Sequence, residues 1–325
     1  MVTTSTIPTA LSERMSQIAD LGLPVVPGLR LGKLAEIEST LEILAQRNPN
    51  SGMPLFAIRS ERLHRPLLYV GLNTEGVEAL SREWQNAARA YAAYGRYISD
   101  YGELALGLKF ELFEDELDEY KMRAGTLRDA DLNADDWRRL SDRFMAIIEQ
   151  ETGEAFSQDA SDQLRRMLSR NRYKNNPLYL QVMLRAPNGL KVGSVVTRDV
   201  YSGGPCELIS FRQTAGADLA GEELVLCDKF RKVVLDASKQ VEAAFKEPQE
   251  LRFAVANDNL WITGCQPLKF TDSAAAVKLA IDLASEKIIS KAEAINRIDP
   301  LQLDAFLHAR LDPSANYNLL TRGTP

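Results

Sequence analysis

Arg59, Arg198 and Arg252 are the residues of this chain best suited to hold a charged ligand. Guanidinium groups bind carboxylate and phosphate oxygens through paired, charge-assisted hydrogen bonds, so the three together would make a basic cluster for an anion. Metal chemistry has weaker support. Phe110–Tyr120 carries Glu111, Glu114, Asp115, Glu116, Asp118 and Glu119, but a run this dense reads as a solvated helix face. Cys206, Cys227 and Cys265 are odd in number and widely spaced, which implies neither a disulfide framework nor a Cys-x-x-Cys metal site. They are expected as reduced thiols in a cytoplasmic protein.

At 325 residues the chain can build two lobes, each with its own core. A net charge of −6 argues against a nucleic-acid or membrane-surface partner, either of which calls for excess Lys and Arg. No apolar run approaches the roughly 20 residues that span a bilayer. The opening MVTTSTIPTALSERM lacks the basic and apolar blocks of a secretory signal.

Spacing indicates the elements that must position these groups. Leu34, Ile37, Leu41 and Leu44 mark an amphipathic helix, and Leu55–Ile58 a short strand ending at Arg59. From Thr74 to about Arg170 the pattern is helical. Leu80, Trp84, Ala87, Tyr91, Tyr94, Ile98 and Tyr101 form one stripe, expected to pack in a core. Trp137, Leu140, Phe144, Ile147 and Ile148 form another, behind a helix start at Asn133-Ala134-Asp135-Asp136.

Strands follow at Leu178–Leu184, Val192–Thr197 and Glu207–Phe211. Hairpin-type turns separate them at Pro187-Asn188-Gly189 and Tyr201-Ser202-Gly203-Gly204. After a helix to about Lys246, Leu251–Val255 and Leu260–Thr263 make a hairpin around Asn257-Asp258-Asn259. Val277, Ala280, Ile281 and Ala284 then share one helical face. Ser290-x-x-Glu293 is a capping box, and Asp299-Pro300 starts a further helix.

Leu260–Pro313 resembles the end of the N-terminal nucleotide-binding domain of the pyruvate phosphate dikinase family. That family carries a strand LW-x-LQTR, then Lys-x-Thr-Ala-x-Ala-Ala-Val-Lys, Pro-x-Gln-Leu-Asp and Leu-Leu-His. The residues that match are Leu260-Trp261, Ala275–Lys278, Leu303-Asp304 and Leu307-His308. Upstream, Leu21–Gly28 resembles the family's LGLPVPPGF and Arg59-Ser60 its Val-Arg-Ser. Tyr94–Gly102 resembles its helix ending in Met-Tyr-Gly-Asp, and Phe156–Asp159 its Phe-Pro-Gln-Asp. Thr197-Arg198-Asp199 stands at its Thr-Arg-Asn-Pro and Cys206-Glu207 at its Gly-Glu. Gln213 keeps the spacing of the glutamine in its Asn-Ala-Gln-Gly.

The resemblance implies an α+β fold, an ATP-grasp-like two-lobed nucleotide-binding domain with a helical insert. The division it implies is an N-terminal α/β lobe over 1–73, the insert over 74–177, a β-rich second lobe over 178–270 and a C-terminal helical segment over 271–325. ATP and Mg²⁺ are the implied ligands, and a phosphohistidine-carrying protein the implied partner.

Several family positions are occupied by other residues here. The phosphate lysine falls at Leu11, which cannot neutralise a phosphate and is expected as a core-facing helix residue. The glycine-rich closing loop is shortened to Ser60–Leu68, which holds no glycine. His64 lies in it, and neither His64 nor His308 is expected in chemistry. The metal-holding Asp-x-Glu-Phe reads Glu250-Leu251-Arg252-Phe253, and a guanidinium has no acceptor for a metal. The catalytic Gln-Thr-Arg reads Gly264-Cys265-Gln266.

Arg59, Arg198, Glu207, Gln213, Glu250, Arg252 and Gln266 remain as cofactor-lining positions, with no residue assigned to catalysis or to a metal. Arg252 is expected to salt-bridge Glu250 or Glu207 and to put a fixed positive charge in the metal's place. By the same resemblance, the family's phosphohistidine domain and substrate barrel are expected to be absent from this chain. The expected function is that of a dikinase-type domain with ATP and Mg²⁺ binding weak or lost, acting as a binding or regulatory partner. The alternative is an active phosphotransferase subunit that passes phosphate to a histidine domain on a separate chain.

Overall fold

A computed structural model of the chain describes residues 11–31, 34–50, 54–60, 66–169, 178–185, 190–206, 208–213, 225–268, 270, 273–298 and 300. Among these, the strands form two four-stranded sheets. The first runs β1 (Gly28–Leu31), β4 (Leu178–Val182), β2 (Phe56–Ser60), β3 (Pro66–Val70). The second runs β6 (Ile209–Gln213), β5 (Lys191–Val196), β7 (Gln249–Ala256), β8 (Asn259–Pro267). Neighbouring strands are antiparallel throughout.

Helices α1 (Leu11–Asp20) and α2 (Ile37–Gln46) come early in the chain. Between β3 and β4 lie α3 (Thr74–Trp84), α4 (Ala87–Asp100), α5 (Glu111–Ala124), α6 (Ala134–Thr152) and α7 (Ala160–Ser169). Then follow α8 (Asp228–Phe245), α9 (Ser273–Ser285) and α10 (Lys291–Arg297). This is the expected α+β arrangement with a helical insert.

Period-two alternation decides which face each strand gives to which core. Phe56, Ile58, Leu178, Leu180 and Val182 enter the larger core with α2 and the insert helices. Val195, Phe211, Leu251, Phe253 and Val255 enter a second core with Val234, Ala237 and Val241 of α8. The alternate residues of both sheets therefore face each other. Ala254 of β7 belongs to the larger core and Trp261 of β8 packs against it, so the two sheets meet directly at this level.

Local chemistry explains the element ends. Asn133 caps α6 by accepting from Asp135 N and Asp136 N, while Asp136 Oδ2 accepts from Asn133 N, a capping box at the helix start expected there. Ser290 caps α10 through Glu293 N. Asn257 and Asp258, at φ of 50° and 59°, make the tight turn between β7 and β8.

The structure corrects several expectations. Leu178–Leu184 and Val192–Thr197 were expected as partners across a hairpin turn, yet β4 and β5 lie in different sheets. The burial of β4 explains this: all five of its residues are buried, as suits a strand between two neighbours. Helix α1 packs on the second sheet rather than the first, through Leu11, Met15 and Ile18. Elements from both ends of the expected division thus cross it. Strand β3, which no pattern announced, begins at a proline on a sheet edge, where a missing N–H does little harm.

The aromatic stripe is cut. Gln85 takes a left-handed conformation and Asn86 caps a new helix, so Leu80 and Trp84 sit on α3, Tyr91 and Tyr94 on α4, and Tyr101 just past its end. On α9 the buried face is Ala275, Ala280 and Leu283, leaving Ile281 57% exposed instead of buried beside Ala280.

Candidate functional site

Arg59 leaves β2 on the side facing the second sheet, opposite Tyr179 of β4. Ile58, its neighbour, is fully buried in the larger core on the other side. The side chain reaches β8 at Gly264: a Cβ added there would stand 3.7 Å from Arg59 Nη1. The same point lies 3.8 Å from Arg252 Cβ and 3.9 Å from Arg252 Cδ, because β7 pairs Arg252 with Gly264. Two arginines from opposite sheets therefore flank one backbone position that carries no side chain.

Arg252 Nε donates to Glu250 Oε1 at 3.3 Å, along the same face of β7. Gln266, paired with Glu250 across β8, donates its side-chain amide to the other carboxylate oxygen. Glu250 is thus held on both sides, as the expected Arg252–Glu250 ion pair requires. Burial lowers the Arg59 guanidinium below its ordinary value; Tyr69 and Tyr179 oppose that shift and Arg252 adds to it. Burial likewise raises the Tyr69 phenol, against the pull of Arg59.

Four of the seven residues singled out from the sequence come together here: Arg59, Glu250, Arg252 and Gln266. Arg198 does not. It is buried, donating through Nε and Nη2 to Glu242 of α8 and through Nη1 and Nη2 to Glu286 just past α9. Burial alone would lower this guanidinium, but the bonds to Glu286 and Glu242 hold it above its ordinary value. It fastens the C-terminal helices to the second lobe and is removed from the basic cluster.

Gln213 ends β6 opposite Lys191, whereas Glu250 lies opposite Val196. Along β5 that separates them by about 17 Å at the rise of an extended strand, so Gln213 does not join the group. Glu207, His64 and His308 lie outside the described residues, as do Leu303-Asp304. Leu11 is buried in the second core, as expected of a core-facing helix residue.

Tyr69 and Tyr179 are the neighbours that sequence reading missed. Recognising β3 as the partner of β2 would have placed Tyr69 beside Ala57 and on the Arg59 side. A second polar group was also missed. Arg14 of α1 donates to Gln249 Oε1 at 3.0 Å and to Glu247 Oε1 at 2.8 Å, and Cys265 Sγ lies 3.1 Å from the same Gln249 oxygen.

The site fits magnesium poorly. Mg²⁺ demands near-octahedral oxygen ligands, usually one or two carboxylates plus phosphate oxygens. The carboxylate present, Glu250, is engaged by Arg252 and Gln266, and the adjacent guanidinium has no lone pair to give. Among the described residues no three His, Cys, Asp or Glu gather as a metal set. No described helix is long and apolar enough to cross a membrane.

No protein-family model matches the chain. Curated relatives do. The chain is 27% identical to the pyruvate, phosphate dikinase of Rhizobium meliloti over 384 aligned residues, covering 96% of this chain and 42% of that protein. It is 26% identical to the Giardia intestinalis enzyme of the same name, covering 90% and 38% respectively. The first alignment is longer than the 325-residue chain, so the Rhizobium protein carries segments this chain lacks.

Solved structures also align. The D-alanine-D-alanine ligase of Coxiella burnetii is 11% identical with a TM-score of 0.40, over 92% of this chain and 60% of that one. The ATP-grasp ligase PsnB is 11% identical with a TM-score of 0.31, over 78% and 49%. The resemblance carried by the sequence motifs holds: this chain is similar to the pyruvate phosphate dikinases over 96% of its own length in the Rhizobium comparison, and spans 42% of theirs.

Proposed function

We propose that the chain is a dikinase-like, ATP-grasp-type domain in which magnesium-dependent phosphoryl transfer is impaired, and that it acts as a binding or regulatory partner of a phosphotransferase component. The observation that carries this reading is the capture of Glu250 by Arg252 and Gln266. Phosphoryl transfer depends on positioning and on neutralising phosphate charge, with metal ions doing much of the latter. A carboxylate already bonded to a guanidinium and an amide gives a metal little. Leu11, at the expected lysine position, is turned into a hydrophobic core and offers no charge.

Calorimetric titration of the whole chain with Mg-ATP tests the reading. The expected result is no magnesium-dependent binding in the micromolar range. Micromolar binding that disappears with EDTA overturns it. The partner half is tested by size-exclusion chromatography with a dikinase fragment bearing the phosphohistidine domain. Co-elution is expected; separate elution removes that half.

A further inference from the structure

Helices α9 and α10 make a hairpin with an apolar interior of its own. Ala280, Leu283, Ile289 and Ala294 are buried in it, and among the described residues this cluster is separate from both lobe cores. Leu283 O accepts from Ile288 N and Ile289 N to close the turn, and Ser290 caps the next helix. We infer that this hairpin is a detachable arm, held on the second lobe by an electrostatic latch that opens at the Arg198–Glu286 bond. The inference goes beyond the nucleotide reading and does not depend on it.

Polar contacts tie the arm to the lobe. Arg198, just past β5, grips Glu286 with both terminal nitrogens, Nη1 to Oε1 at 3.0 Å and Nη2 to Oε2 at 2.5 Å. Arg297 Nη1 donates to the Lys246 carbonyl just past α8. The turn at Gly203 lies against the Ala275 carbonyl without inserting a side chain. Contacts of this kind bury little apolar surface, so the hydrophobic effect does little to keep them closed.

The two carboxylates on Arg198 are not equivalent. The Glu242 side chain is 6% exposed and that of Glu286 41%. Glu242 accepts from Nε and Nη2, so an arginine that loses Glu286 stays paired and leaves no stranded charge. One positive charge between two carboxylates is a net-negative group in which the carboxylates repel. Withdrawing Glu286 into water leaves a neutral buried pair behind. The latch can therefore open without breaking the lobe. Salt favours that opening, because screening weakens a half-exposed bond more than a buried one.

The test is hydrogen–deuterium exchange on the whole chain, comparing the parent with Glu286→Gln at low salt and at about 1 M NaCl. At low salt, α9 and α10 should exchange about tenfold faster in Glu286→Gln, with α8 and the second sheet unchanged. High salt should bring the parent to the same rate and leave Glu286→Gln unmoved. A distance reads the opening if the freed helices stay folded. Spin labels on exposed Cys227 and on Lys291→Cys, with Cys206→Ser, should move apart in Glu286→Gln.

Faster exchange confined to α9 and α10 supports the latch, as does a lengthened distance with exchange unchanged. Exchange and distance both unchanged overturn it. Acceleration that spreads through α8 and the second sheet also overturns it, because the hairpin would then share the lobe's core. Equal salt acceleration in Glu286→Gln and the parent places the salt-sensitive contact elsewhere and overturns the latch.

Discussion

Arg198 and Glu242 form a buried ion pair, 2.5 Å between Nη2 and Oε1, with 3% and 6% of their side chains exposed. Truncating the arginine would strand a carboxylate in a dry setting. Arg198→Met is expected to destabilise the fold by about 3–5 kcal/mol, measured by urea unfolding. Adding Glu242→Leu should restore most of the loss, because two apolar side chains replace a broken pair. A double variant no better than the single one would show that Glu286 carries the interaction.

Gly203 stands at φ of 71°, and a Cβ there would lie 2.3 Å from the carbonyl oxygen of Ala275. The turn after β5 thus docks on the start of α9 with no room for a methyl group. Gly203→Ala should cost about 1–3 kcal/mol and raise hydrogen exchange in α9 and α10 before the rest of the protein. Uniform acceleration throughout would mean that these helices do not open on their own.

Burial pushes the Cys265 thiol up from an ordinary 9.0 to about 12. A thiol raised on folding stabilises the protein fully below pH 9, and the contribution is lost as pH climbs towards 12. Unfolding free energy should therefore fall by about 1.4 kcal/mol per pH unit above 9 from this group. Buried tyrosines such as Tyr97, raised chiefly by burial, steepen the fall above about pH 10. Cys265→Ala should flatten the segment between pH 9 and 10. At pH 8, iodoacetamide is expected to label exposed Cys227 well before Cys265.

Arg252→Glu replaces the ion pair on β7 with two adjacent carboxylates. It should create magnesium-dependent nucleotide binding at least tenfold above the parent chain, read by titration with and without EDTA. If no such binding emerges, the Glu250–Arg252 face is not a place where a metal-bound nucleotide can be held.

Motifs announced the local parts of this fold well. Asn133, Ser290 and the Asn257-Asp258 turn act through neighbours a few residues away, so their signals are complete within a short window. The sheet assignment of β4 was hidden, because an apolar run does not say which strands will flank it. The same limit applied to α1, whose partner Gln249 lies 235 residues away.

In the candidate site, the Arg252–Glu250 pair was legible because side chains two apart on a strand share a face. Arg198 was misplaced for the opposite reason: its true partners, Glu242 and Glu286, sit on helices that the local sequence does not connect to it. Tyr69 was invisible until β3 was known to be a strand.

The backbone between α1 and β1 has a practical consequence. Val26 N bonds Ile262 O and Ile262 N bonds Pro24 O, just where the polypeptide passes from helix on one sheet to strand in the other. Neither half can be cut out as a continuous stretch, since each borrows a piece from across the gene. Fragments that begin after Asp20 lack α1, which packs on a lobe encoded mostly more than 170 residues downstream, and they should be recovered as aggregates rather than as half-proteins.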